Sequence, residues 1–269
     1  MKLTILVDNN TFIDQYYYGE PAVSFLIEVD GKRVLFDTGY SDIVLKNAEK
    51  MKIDLNEVTH IVLSHGHDDH TRGLKFLNDK LDLSRMELIA HPGCFGAKYV
   101  EDLYVGAPFT RKEIEKITNY HPGEGVYRIS ENLIYLGEIP QKNHFENQNP
   151  IGKCEENGEW KDDYLRDDTA IVYKSASVIF VITGCSHSGI CNIIEYAKEV
   201  CGTEQVYGVI GGFHLFHDDE QLKETIDYFV KNEIQVLYPC HCVSLLARCK
   251  MMERLPVVET GVGMVVELL

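Results

Sequence analysis

No stretch of this 269-residue sequence is apolar over the roughly 18–20 residues a helix needs to span a bilayer, so no membrane partner is expected. The amino-terminal run Met1 to Asp8 (MKLTILVD) is too short in its apolar part for a secretory signal, and a cytoplasmic protein is expected. Positive charge is scarce: 26 Lys and Arg stand against 42 Asp and Glu, a net charge of −16. That balance excludes a general nucleic-acid binder, because phosphate backbones are held by Lys and Arg. No internal repeat recurs at a fixed period. The eight cysteines (Cys94, Cys154, Cys185, Cys191, Cys201, Cys240, Cys242 and Cys249) form no paired Cys-x-x-Cys set and lack a secretory context, so free thiols are expected. Cys191, Cys201 and Cys249 fall in helical stretches, where a free Cys serves as a small core residue.

Against these absences stands one dense segment, His65-Gly66-His67-Asp68-Asp69-His70, directly after the apolar run Ile61-Val62-Leu63. Imidazole nitrogen and carboxylate oxygen are the donors that borderline divalent metals such as zinc prefer. His65 and His67, two apart, converge only on an extended or looped backbone. Asp69 and His70, being adjacent, are expected to point in different directions. Two donors toward one metal and two toward a second, about 3.5–4 Å away, is the arrangement of two-metal hydrolases.

At 45% hydrophobic and 25% charged residues the composition is globular, and the length suits one domain over residues 1–269. Strands are expected at 3–7, 22–29 and 34–36, with Asp30-Gly31 as a two-residue hairpin turn. A helix over 42–51 follows, with Ser41 as N-cap, then a strand at 61–63, a helix at 71–78 and a strand at 87–90. From 91 to 168 the periodicity breaks up apart from one helix at 111–118, and 141–161 is nearly all polar. This region is expected to be an insertion that covers the substrate. Beyond it, strands at 170–173, 178–183, 205–210, 235–238 and 263–268 alternate with helices at 189–200, 221–231 and 243–251, the pattern of an α/β protein.

The motif His65-x-His67-x-Asp69-His70 resembles the signature of the metallo-β-lactamase superfamily. The resemblance implies a four-layer αββα sandwich with one or two metals at its edge. His67 stands where the flavodiiron oxygen reductases of that superfamily carry Glu, which favours hydrolysis over redox chemistry. Asp37, in Leu35-Phe36-Asp37-Thr38-Gly39, matches the aspartate that orients the metal loop. Later strand ends supply the remaining donors. After Thr183-Gly184, where many members carry a bridging Asp, this chain has Cys185, so either that thiolate or His187 is the ligand, and His187 is preferred. His241 matches the last ligand position, and a separate zinc on Cys240 and Cys242 is disfavoured for want of a partner pair. His214, after Gly211-Gly212, is a ligand, a supporting group or a phosphate contact. His144 is a further candidate ligand, and His91 is expected to support the loop.

Asp8-Asn9-Asn10, Thr183-Gly184-Cys185-Ser186-His187-Ser188-Gly189, Gly211-Gly212-Phe213-His214 and Cys240-His241-Cys242 together are similar to the branch named after 7,8-dihydropterin-6-methyl-4-(β-D-ribofuranosyl)aminobenzene-5′-phosphate synthase. That likeness places Asp8 and Asn9 near the metals. Arg72 departs from the branch, which has Gly there, and sets a cation beside the metal loop that suits a substrate phosphate.

The expected activity is that of a metal-dependent hydrolase on a small, anionic, phosphorylated or ester-bearing molecule. Two divalent ions, zinc by donor type with manganese or iron compatible, form the attacking hydroxide on His65, His67, Asp69, His70, His187 and His241. Asp69 orients the nucleophile, His214 serves the leaving group, and Arg72 and Asn9 bind substrate. The alternatives are a dihydropterin transferase that releases pyrophosphate and a non-catalytic metal-binding protein.

Overall fold

The computed structural model describes residues 1–146, 149–156 and 158–268. The chain divides into two compact units, Met1–Glu124 with Asn149–Asp167 and Gly261–Leu269, and Gly125–Gln148 with Asp168–Thr260. The first unit opens with strands β1 (Lys2–Val7), β2 (Ser24–Val29) and β3 (Lys32–Phe36), helix α1 (Ile43–Lys50) and strand β4 (His60–Val62). Short helices α2 (Asp68–Thr71) and α3 (Gly73–Asn78) lead to β5 (Glu87–Ala90), β6 (Lys98–Val100), β7 (Leu103–Tyr104), α4 (Arg111–Ile117) and β8 (Asn119–Pro122). The second unit begins with β9 (Tyr127–Arg128) and β10 (Leu133–Tyr135), and the chain then returns to the first for β11 (Lys153–Glu156) and β12 (Glu159–Asp162). Strands β13 (Ala170–Lys174) and β14 (Ile179–Thr183), helix α5 (Ile190–Cys201), β15 (Val206–Gly211), α6 (Glu220–Lys231), β16 (Val236–Pro239) and α7 (Leu245–Met252) complete the second unit. Strand β17 (Val265–Glu267) rejoins the first.

The first unit's main sheet runs β17-β1-β2-β3-β4-β5-β8, and a smaller one runs β12-β11-β6-β7. The second unit's sheet runs β16-β15-β14-β13-β10-β9. Asp30 and Gly31 both take positive φ (50° and 72°) between paired Val29 and Lys32, so the expected two-residue hairpin forms. From β3 to β8 the ladder is parallel, as is β14-β15-β16, so these strands all deliver their carboxyl ends to one edge of their sheet.

Each unit has its own core. In the first, Leu26, Leu35, Ile61 and Leu88 of the sheet pack with Val44 and Ala48 of α1 and Leu74 and Leu77 of α3. In the second, Ile190, Ile194 and Ala197 of α5 form a helical stripe with Val181, Val209 and Phe229. Each fully buried Val, Leu, Ile or Phe among these contributes about 1.5–3 kcal/mol of transfer free energy, which is why these elements are legible from periodicity.

Several expectations need correction. The N-cap of α1 is Asp42, although the Ser41 hydroxyl still accepts the Ile43 N–H at 3.2 Å. Cys249 is exposed, because α7 buries Ala247 and Met251, and position 249 lies between those two on the opposite side of the helix. The metal loop turns helical at Asp68 rather than Thr71, helped by two carboxylates in the first turn. The polar segment 141–161 contains the β11–β12 hairpin and a buried Glu146, which accepts the Cys191 and Asn192 N–H groups (2.7 and 2.8 Å) at the start of α5. Among the described residues, no helix is long and apolar enough to cross a membrane.

The start of α3 is fitted against the turn after β3: Gly73 N donates to Gly39 O at 2.9 Å, and a Cβ on Gly73 would lie 1.9 Å from Thr38 O. Gly73→Ala therefore forces the backbone apart and is expected to cost about 3 kcal/mol or more, read as a lowered urea midpoint at unchanged slope.

Candidate metal centre

The metal loop is organised from beneath by Asp37. That residue follows β3 with φ of +57°, is fully buried, and donates its N–H to Val62 O at 2.8 Å. Its carboxylate accepts from Ser64 N and Ser64 Oγ, both at 2.7 Å, and meets His70 Nδ1 at 2.7 Å. With Nδ1 carrying the proton toward Asp37, His70 presents Nε2 as its basic nitrogen. The Ser64 hydroxyl, spent as a donor on Asp37, accepts from His65 Nδ1 at 2.9 Å, so His65 also presents Nε2. One carboxylate thus selects the metal-binding tautomer of two imidazoles.

The donors fall into two pairs. His65 Nε2 and His67 Nδ1 are 3.0 Å apart. Two imidazole nitrogens on a tetrahedral zinc, each at its usual bond length, are about 3.3 Å apart, so this pair needs almost no movement to share one ion. His65, His67 and Asp69 each place a ligand atom within 4.8 Å of the others. Asp69 Oδ2 lies 3.6 Å from His70 Nε2, so these adjacent side chains converge instead of diverging as expected. Burial pushes the His67 imidazole down to about 4, which keeps it neutral at physiological pH.

In the second unit the same device recurs. Ser186, His214 and His241, in the loops after β14, β15 and β16, all have φ of 50–60°. Non-glycine residues held in this region mark sites where the surroundings over-determine the backbone. Cys185 Sγ lies within 4.8 Å of a ring nitrogen of His187 and of one of His241. The His187 and His214 rings sit 4.5 Å apart. Cys185 thus stands within ligand spacing of both His187 and His241, and the His214 ring lies beside His187. Cys242 is a structural thiol: its Sγ accepts the His214 N–H at 3.4 Å and donates to Cys185 O at 3.6 Å. Among the described residues, Cys240 and Cys242 join no group with ligand spacing.

The other candidates differ in their surroundings. His144 is exposed, with its ring beside Phe145. His91 accepts the Gly93 N–H at 3.0 Å and caps a short 3-10 turn. Asn9 is exposed beyond β1, whereas Asp8 beside it is buried. Arg72 lines a cavity of about 680 Å³ with His67, Asp69, Tyr40 and Tyr104, and its guanidinium stacks 4.3 Å over the Tyr40 ring. Burial, and then the charge of Asp69, raise the Asp68 carboxyl in the same wall. Sequence reasoning missed Ser64 and Asp168; the latter accepts the Ser188 N–H at 2.8 Å and so fixes the loop that carries His187.

A family model described as the metallo-β-lactamase superfamily matches residues 17–87, the stretch from the loop before β2 to the start of β5. An uncharacterized protein of Methanocaldococcus jannaschii is 33% identical over 98% of this chain and 99% of its own length. The chain belongs to the metallo-β-lactamase superfamily. The 7,8-dihydropterin-6-methyl-4-(β-D-ribofuranosyl)-aminobenzene-5′-phosphate synthase of the same organism is 29% identical, over 94% of this chain and 91% of that one. The crystal structure of Tm1679, a metal-dependent hydrolase of the β-lactamase superfamily, superposes with a TM-score of 0.84 at 29% identity, covering 100% of this chain and 99% of that one. The α/β fold expected from the sequence is the metallo-β-lactamase fold of these relatives. Superfamily members typically bind divalent metals, and the donor pairs above fit such ions.

Asp37→Asn keeps the shape but removes the charge that fixes both tautomers. It is expected to weaken zinc or cobalt binding about 10–100-fold in chelator competition, with a smaller effect on the melting temperature.

Proposed function

We propose that this chain is a metal-dependent hydrolase acting on a small phosphorylated or ester-bearing molecule. His65, His67, Asp69, His70, His187 and His241 are assigned as ligands of two divalent ions, zinc by donor type. The observation that carries the reading is the 3.0 Å approach of His65 Nε2 and His67 Nδ1, with the His65 ring and that of His70 oriented through Asp37. The ions supply Lewis acidity and a nucleophile at neutral pH. Asp69 orients that nucleophile, and His214 donates a proton to the leaving group. Arg72, pinned on Tyr40, binds the substrate's anionic group with its remaining N–H donors. The segment 91–168 covers the substrate, and Val100, Leu103 and Tyr104 from it wall the cavity. Asn9 does not line that cavity and is left out of the binding role. A cytoplasmic location accords with eight cysteines that are all thiols.

The 29% identity to the synthase supports a second reading, a transferase that releases pyrophosphate. Metal analysis with phosphodiester and ester hydrolysis assays separates the two. The hydrolase reading expects two metals per chain, turnover by the wild type, and loss of both metal and turnover in His67→Ala. Two metals without hydrolysis, but with pyrophosphate release from a pterin diphosphate, would favour the transferase. A chain that binds no metal would sink both.

Arg72→Ala is expected to raise KM for a phosphorylated substrate about tenfold with little change in kcat, because it removes binding shared by ground and transition states. A neutral ester should show no such change in KM.

A further inference from the structure

A lysine and two carboxylates lie buried together in the first unit, outside the ligand set. Lys98 Nζ is 2.7 Å from Asp163 Oδ2 and 3.1 Å from Asp167 Oδ1, and the three residues are only 2–3% exposed. Burial pushes the Lys98 amine down, but Asp167 and Asp163 outweigh it and the amine ends above its ordinary value. Burial likewise pushes the Asp167 carboxyl up, and Lys98 outweighs that, so Asp167 is an ionised acceptor.

Such a buried ion cluster is a poor device for stability, since apolar residues of equal volume are often as good or better. Its geometry points to another use. The second oxygen of Asp167 accepts the Gly66 N–H at 2.8 Å. Gly66 is the residue between His65 and His67. A Cβ there would lie 2.5 Å from the Cys94 carbonyl oxygen, so the peptide is pressed against one backbone and tied to one carboxylate. A charge-assisted bond of this kind is about twice as strong as a neutral one. Asp163 differs: it meets Lys98 equally well, but its other oxygen accepts the Leu165 N–H at 2.9 Å, within its own loop.

We propose that Asp167 is a positioning residue for the metal loop. Braced by Lys98 and Asp163, it holds the Gly66 peptide so that His65 and His67 keep the spacing at which they bind one ion. The inference rests on the metal-ligand reading of that loop and adds a residue 101 positions away in sequence to it.

Asp167→Asn and Asp163→Asn form a matched pair in the full chain, because each removes one carboxylate from Lys98 and only the first touches Gly66. Cobalt(II) affinity by chelator competition, the visible spectrum of the cobalt form and the melting temperature of the metal-free protein are measured for both. Asp167→Asn should weaken cobalt binding about 10–100-fold and alter the spectrum, whereas Asp163→Asn should change affinity by less than about threefold, although both melt lower. Equal weakening by the two variants, or unchanged affinity in Asp167→Asn, would overturn the inference. If Asp167→Asn does not fold, Asp167→Glu replaces it, keeping the charge beside Lys98 and displacing the acceptor by one methylene. Weakened cobalt binding at near-wild-type melting temperature supports the proposal, and unchanged binding overturns it. A wild-type chain that takes up no cobalt would overturn the metal reading itself, a separate result.

Discussion

The Asp37 carboxylate is the interaction on which the donors of the first unit depend. Removing a carboxylate from water costs several kcal/mol even after relaxation. Three hydrogen bonds to the charged group, from Ser64 N, Ser64 Oγ and His70 Nδ1, recover about 1.5–3 kcal/mol each, enough to offset it. The sequence around Asp37 is arranged to make those bonds unavoidable. Its left-handed backbone turns the side chain under the loop, and Thr38 N and Oγ1 both donate to His70 O at 2.8 and 2.9 Å. The same short turn therefore holds His70 by ring and by backbone. Local strain is traded for the orientation of the His65 and His70 rings.

The second unit reaches a comparable result with weaker bonds. Ser186 Oγ donates to Gly212 O at 2.7 Å, and Cys242 joins the loops of Cys185 and His214 through its sulfur. Gly212 cannot carry a side chain here, since a Cβ would stand 2.4 Å from Cys242 Sγ and 2.6 Å from Gly184 O. The Gly-Gly and Cys-x-Cys patterns are thus two sides of one packing constraint. Neither is a metal signature.

What the sequence made legible follows the range of the interactions involved. The metal loop declared itself because four donors lie within six residues, and the helices because apolar stripes recur every turn. Asp30-Gly31 fixed its hairpin by two φ values that Gly and Asp tolerate. Asp167 and Glu146 were hidden because their partners lie 101 and 45 residues away, and nothing local distinguishes a buried carboxylate from a solvated one. Cys249 was misplaced for a simpler reason: a helix position says which face a residue shares, and the buried face of α7 is set by Ala247 and Met251.

A net charge of −16 does not by itself set the potential inside one cavity. At physiological ionic strength, exposed charges are screened beyond about 8 Å, so most of the 42 carboxylates do not reach the cavity beside the metal loop. Inside that cavity the nearby charges decide, and burial makes each count for more. The Arg72 guanidinium lies over the Tyr40 ring, a contact that restricts the side chain in advance of any ligand. Burial, and then the charge of Asp69, raise the Asp68 carboxyl, while Arg72 beside it pulls the other way. Arg72 sets a cation in the same wall as Asp68 and Asp69, and divalent ions on the loop would add positive charge there.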